Sequence, residues 1–192
     1  MPQTIRTFIA VEMDPAIRRA AKGLIEKFRA AGADVGWVAP EKMHLTLKFL
    51  GDVRETDVPL VCEAVGEAVA GAAPFELDVR GAGAFPNLSR PRVIWLGSGE
   101  GEQAMAGLAD RIEAVLESLG FAREARRFHA HLTLGRVRRG GPAISALARM
   151  VQEHAEVEIG RTSVEEVVVF SSQLKPTGAV YEALSRAPLG GT

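Results

Sequence analysis

The sequence predicts an α+β fold in two lobes: duplicated β-α-β-α-β units whose antiparallel sheets face a central cleft across an approximate two-fold axis. Three observations predict it. The tetrapeptide His-Leu-Thr-Leu occurs at 44–47 and again at 131–134, 87 residues apart. Apolar periodicity gives the same order of elements in each half: strand, helix, strand, helix, strand. The same offset carries Phe8 onto Trp95, Ala21 onto Leu108, Ile25 onto Ile112 and Phe28 onto Val115. Residues 1–192 are therefore read as a single bilobal domain, with the lobes built around the two tetrapeptides. The length suits one such domain and is short for two independent ones.

The elements follow in order. Residues 4–11 read as a strand, with Phe8, Ile9 and Val11 in a β-prone run. Asp14-Pro15 supplies a cap and a first-turn proline. Ile17, Ala21, Leu24 and Phe28 follow at helical spacing, and Gly32 ends the helix. Strands are expected at 35–38 and 43–50, and a helix over 57–69 through Val58, Cys62, Val65 and Val69. Residues 75–79 and 93–96 read as strands separated by a turn-rich stretch, 81–91. Met105, Leu108, Ile112, Val115 and Leu119 make the cleanest helical stripe, closed by Gly120. A strand is expected over 128–137, a short helix over 144–151, and strands at 156–159, 164–170 and 180–184. The tail, 188–192, is expected to fray.

Composition narrows the class. Nearly half of the 192 residues are hydrophobic and about a quarter are charged, which excludes disorder, a collagen-like fibre and a disulfide scaffold. The 23 basic and 24 acidic side chains leave a net charge of −1, so whole-chain charge predicts neither nucleic-acid coating nor membrane adhesion. Cys62 is alone, which removes internal disulfides and Cys-based metal sites, and it is read as a core residue. No apolar run approaches a membrane span, and residues 1–6 lack the apolar core of a signal peptide. The expectation is a cytoplasmic protein with no membrane partner.

The chemistry lies in the repeated tetrapeptide. Side chains alternate along a strand, so His44 and Thr46 share one face while Leu45 and Leu47 share the other. His131, Thr133, Leu132 and Leu134 repeat the arrangement. The leucines anchor each strand, and two imidazoles and two hydroxyls face the cleft. Histidine titrates near neutrality, so one copy can be protonated while the other is neutral. That pair suits in-line displacement at phosphorus without a metal or other cofactor: the neutral ring takes a proton from the nucleophile and the protonated ring gives one to the leaving oxygen. The threonine hydroxyls can donate to non-bridging phosphate oxygens. His129 shares the face of His131 by alternation and either extends the site or joins His131 at a zinc ion. Zinc is the weaker reading, because three ligands are normally needed and no acidic or Cys partner lies at motif spacing. His154 is expected on the surface. Residues 121–140 hold six arginines, including Arg127 and Arg136, against one acid, Glu124. Such a patch beside a phosphate site suits an RNA terminus. Arg136, three residues after Thr133, is the foremost candidate for substrate contact, followed by His129 and Arg127.

The flanks carry a resemblance. Arg6-Thr7-Phe8-Ile9-Ala10, His44-Leu45-Thr46-Leu47-Lys48-Phe49-Leu50-Gly51, Val93-Ile94-Trp95-Leu96-Gly97, His131-Leu132-Thr133-Leu134-Gly135-Arg136 and the run from Ser172 to Tyr181 resemble the 2H phosphoesterases. Within them they resemble the RNA 2',3'-cyclic phosphodiesterases, also called 2'-5' RNA ligases. Ala130 stands where proline is expected before the second motif. The resemblance implies hydrolysis of an RNA 2',3'-cyclic phosphate to a 2'-phosphomonoester, with 2'-5' ligation as the reverse chemistry. It implies His44 as proton donor to O3', His131 as the base that activates water, and Thr46 and Thr133 as phosphate holders. RNA ending in a cyclic phosphate is then the partner, tRNA fragments among the candidates, and a monomer is expected because the symmetry is internal. The alternatives are the same chemistry on a small cyclic nucleotide, on ADP-ribose cyclic phosphate or on a 2'-5' oligoadenylate, or a non-catalytic RNA-binding module.

Overall fold

A computed structural model describes residues 3–176 and 178–190 of the chain. Thr177, inside one of the runs that carry the resemblance, lies outside them, as do residues 191 and 192 of the tail. The first half runs β1 (Thr4–Glu12), α1 (Pro15–Arg29), β2 (Val35–Trp37), β3 (His44–Arg54), α2 (Val58–Val69) and β4 (Phe75–Phe85). The second runs β5 (Val93–Ser98), α3 (Glu102–Ser118), β6 (Leu132–Val137), α4 (Ala143–Glu153) and β7 (Glu158–Val164), and β8 (Glu166–Lys175) and β9 (Gly178–Pro188) close the chain.

All the paired strands are antiparallel and join in one sheet, in the order β7-β4-β5-β6-β3-β1-β8-β9, with β2 added on β6. The order is symmetric about the β3–β6 junction. Each motif strand is therefore central, flanked by the first strand of its own half. The helices cover one face. Their apolar stripes, among them Ile17, Ala21, Leu24 and Phe28 of α1 and Met105, Leu108, Ile112 and Leu116 of α3, merge with the inward leucines of both motifs into the main core. Each such leucine contributes about 1.5–3 kcal/mol by burial. The opposite face carries a small separate apolar cluster of Phe8, Ala10, Val168 and Phe170, against which Tyr181 packs.

Several expectations change. The constant offset of 87 holds at the motifs but not throughout. Ala10 and Trp95 both pair with a motif threonine, an offset of 85, whereas the buried residues of α1 and α3 correspond at 88. The second half therefore has three more residues than the first between the strand position opposite the motif threonine and the first buried helix residue, one of them in the connection 99–101. Val61 rather than Cys62 takes the buried position on α2, and Cys62 is half-buried. On α3, Leu116 replaces Val115 and Leu119 on the buried stripe. β4 extends through residues 81–85 of the stretch read as turn-rich, and residues 86–91 are turns and bends as expected. His154 is half-buried, its ring edge-on to Phe28 at 5.4 Å. In the described part of the tail the expected fraying is not seen: Pro188 ends β9, and Leu189 is buried with its amide bonded to the Glu165 carbonyl.

Candidate active site

The site is built on β3 and β6. Leu45 and Leu132 are cross-strand partners and are 2% and 1% exposed. In an antiparallel pair this register sets His44 beside Thr133 and Thr46 beside His131. The two histidines are then diagonal neighbours, a relation that spaces side-chain origins by about 7–8 Å. The burial pattern agrees with this facing: all four leucines are buried, while His44, Thr46, His131 and Thr133 are half-exposed.

Both rings are held alike. His44 Nδ1 lies 2.8 Å from the Lys42 carbonyl oxygen, and His131 Nδ1 lies 2.9 Å from that of His129. A carbonyl only accepts, so each Nδ1 carries hydrogen and donates. Nε2 is thereby left as the nitrogen that exchanges protons. Aromatic rings wall each imidazole. His44 lies 4.8 Å from Phe8 and 5.3 Å from Tyr181, and His131 lies 5.1 Å from Phe85. Burial lowers the pKa of both histidines and is the largest cause in each. The backbone hydrogen bond opposes it in each. The nearby charges differ: Glu12 raises His44 while Arg136 and Arg18 lower it, and His129 and Arg136 both lower His131.

A β-bulge repeats at the same point of each motif. Ala10 pairs with Thr46 and Ile9 with Lys48, so Leu47 is the extra residue on β3. Trp95 pairs with Thr133 and Ile94 with Gly135, so Leu134 is the extra residue on β6. A bulge uses one residue without advancing the alternation. Two consecutive residues then turn inward, Leu47-Lys48 and Leu134-Gly135, and the next turns toward the site face: Phe49 in the first half, Arg136 in the second. Strict alternation would have sent Arg136 to the helix face. The charge of Arg136 reaches both histidines.

Lys48, turned inward, is 6% exposed. Its ammonium donates to Glu113 of α3 at 2.7 Å and to the Ala122 carbonyl at 2.9 Å, and Glu113 also accepts from the Glu124 amide. This buried pair ties the start of the segment leading to His131 onto β3. Sequence reasoning took Lys48 only as part of a motif; its burial was visible to none of the local signals.

The other candidates divide. β6 begins at Leu132, not at 128, so alternation does not place His129. It nevertheless borders the site: its carbonyl accepts from His131, and its ring lies 5.5 Å from Trp95 and pairs with Glu102 at 3.2 Å. Trp95 fits there because Gly83 beneath it has no side chain: a Cβ on Gly83 would collide with the indole. Arg127 is exposed on the irregular segment 122–131 and forms no ion pair among the described residues. No group of three or more His, Cys, Asp or Glu side chains among the described residues is placed to hold a metal ion. No helix among the described residues is long and apolar enough to cross a membrane.

A family model, LigT like Phosphoesterase, matches the chain twice in tandem, over residues 11–95 and 96–181. The RNA 2',3'-cyclic phosphodiesterase of Methanothermobacter thermautotrophicus is 37% identical over 177 residues, covering 92% of this chain and 95% of that protein. The protein of the same name from Archaeoglobus fulgidus is 36% identical over 180 residues, covering 94% and 98%. Among solved structures, TT0787 of Thermus thermophilus superposes with a TM-score of 0.82 at 28% identity, covering 97% of this chain and 98% of its own.

Proposed function

The chain belongs to the LigT-like phosphoesterase family, and we propose that it is an RNA 2',3'-cyclic phosphodiesterase working through His44 and His131 without a metal. The observation that supports the reading is the Leu45–Leu132 register, which sets His44 beside Thr133 and Thr46 beside His131 on one face of the sheet.

The steps follow from the atoms available. His131, its Nδ1–H committed to the His129 carbonyl, offers a free Nε2 lone pair and takes a proton from water. The water oxygen attacks phosphorus opposite O3'. The P–O3' bond breaks as His44 Nε2 gives its proton to O3', and the product is a 2'-phosphomonoester with a free 3'-hydroxyl. The next cycle needs only exchange of one proton with solvent at each ring. Thr46 and Thr133 donate to the non-bridging oxygens, and Arg136 adds a positive charge on the same face. With a 5'-hydroxyl in place of water, the same geometry runs the exchange that forms a 2'-5' linkage. Charge supports the division of roles. Glu12 favours the protonated form of His44, as a donor requires. Arg136 favours the neutral form of both rings and Arg18 that of His44, so the contrast rests on Glu12 and on His129, which favours the neutral form of His131, as a base requires.

The test is an oligoribonucleotide ending in a 2',3'-cyclic phosphate, incubated with the protein and with its His44→Ala and His131→Ala variants. A 2'-phosphate end made by the wild type and by neither variant supports the reading. Turnover of a cyclic mononucleotide but no oligonucleotide restricts the substrate to small molecules, and binding without product makes the protein an RNA-binding module.

A further inference from the structure

The two tetrapeptides are identical, yet one ring has to carry a proton that the other lacks. The difference must come from residues outside them. On β1, Ala10 is the cross-strand partner of Thr46, and two residues on, Glu12 is the partner of His44. On β5, Trp95 is the partner of Thr133, and two residues on stands Gly97. Cross-strand partners share a face about 5 Å apart. A carboxylate therefore stands beside His44 on the site face, and none occupies the same place beside His131.

Glu12 is also fixed in position. Arg186 of β9 donates to its Oε2 at 2.7 Å and bonds Glu166 as well, while Arg18 of α1 lies 3.9 Å from Oε1. We propose that Glu12 is a positioning residue that keeps the His44 imidazole in its proton-donating form. This rests on the reading of His44 as the acid. The aromatic wall of Phe8, Phe170 and Tyr181 disfavours an imidazolium by desolvation, and a carboxylate at strand-pair distance offsets part of that cost. The other charged and titratable groups around the ring are Arg18 from α1, Arg136 from β6, Tyr181 and, behind Glu12, Arg186 from β9. Lys42 precedes it, with its ammonium directed to the β8–β9 turn, 3.7 Å from where a Cβ on Gly178 would sit. Of the charges acting on the ring only Glu12 is negative, and the other acid of the cluster, Glu166, stands against Arg186.

The experiment is the pH dependence of kcat/KM on a cyclic-phosphate substrate for the wild type, Glu12→Gln and Glu12→Asp, with NMR titration of the His44 ring in each. Glu12→Gln keeps size and hydrogen-bonding capacity but removes the charge. Its alkaline limb and the His44 titration should both move to lower pH, with kcat/KM on the alkaline side down roughly 3- to 10-fold. Glu12→Asp keeps the charge and should leave the limb near its wild-type position. A uniform loss at every pH, with the His44 titration unmoved, overturns the proposal and leaves His44 as acid intact. A shift confined to the acid limb overturns the acid reading itself, because it makes His44 the base.

Discussion

His44 and His131 each stand one residue before a buried leucine of a central strand. Each donates Nδ1–H to the carbonyl two residues back and precedes a bulge at the same leucine. Around His44 stand Phe8, Phe170, Tyr181 and Glu12, with Phe49 beyond Phe8; around His131 stand Phe85, His129 and Arg136, with Trp95 against His129. The comparison separates two tasks. In the proposed reaction, holding the phosphate is a symmetric task that a duplicated backbone can do twice. Moving a proton in at one side and out at the other is asymmetric. On that reading the asymmetry comes from neighbours outside the tetrapeptides, Glu12 beside His44 and His129 beside His131.

Removing either imidazole should have the largest effect, a loss of about 10²–10⁴ in kcat. The two losses become distinguishable with a leaving group that needs no proton. A 3'-thio cyclic phosphate should restore much of the rate to His44→Ala and none to His131→Ala. Equal rescue of both would break the asymmetry between the two rings.

Position 48 and its counterpart 135 compare structure in the same way. Lys48→Met leaves the Glu113 carboxylate buried without its cation and should cost about 3–5 kcal/mol in thermal or urea unfolding. Replacing both partners by apolar residues should recover most of that stability. Gly135→Ala should cost less, about 1–3 kcal/mol, because its Cβ would sit 2.7 Å from Trp37 and Val35 of the covering chain.

Much of this site was legible because its first level is local. Strand alternation put His and Thr on one face and the leucines on the other, and the repeat indicated that it happens twice. The next level was not legible, because register belongs to pairs of strands. Nothing in residues 44–49 announces that Leu47 is bulged, so the inward turn of Lys48 and the site-facing turn of Phe49 and Arg136 follow only from β1 and β5. Glu12 became a neighbour of His44 by the same route. The stretch before His131 misled in the other direction. Phe128 has strand propensity, but it packs against the main core, and His129 finds Trp95 and Glu102 rather than a strand partner.

Arg136 sharpens the comparison at the phosphate. Its charge acts on both rings, and it alone of the two post-bulge residues is cationic. Arg136→Ala should lower kcat/KM by roughly 10²-fold. Arg136→Lys should recover only part of this, because a point charge does not reproduce a planar fork on two oxygens. Thr46→Ala and Thr133→Ala should each cost about 10-fold, the loss of one hydrogen bond to a charged group. If the two threonine losses differ by more than that, phosphate holding is not shared equally between the halves.

Phe49 gives the smallest and most specific contrast. It is 64% exposed, yet it faces the site beside Phe8, with ring centroids 6.0 Å apart. A ring so exposed adds little to folding, so Phe49→Ala should leave the unfolding free energy within about 0.5 kcal/mol of wild type. Its flat face suits a nucleobase, and stacking on a protein ring contributes about 1–3 kcal/mol per base. If His44 is the acid, as proposed, O3' leaves on its side, the terminal nucleoside would lie over this aromatic half, and water would enter over the basic half. Phe49→Ala should then raise KM for a cyclic-phosphate nucleotide several-fold with kcat nearly unchanged. No change in either KM or kcat would place the nucleoside away from this half and count against His44 as the acid.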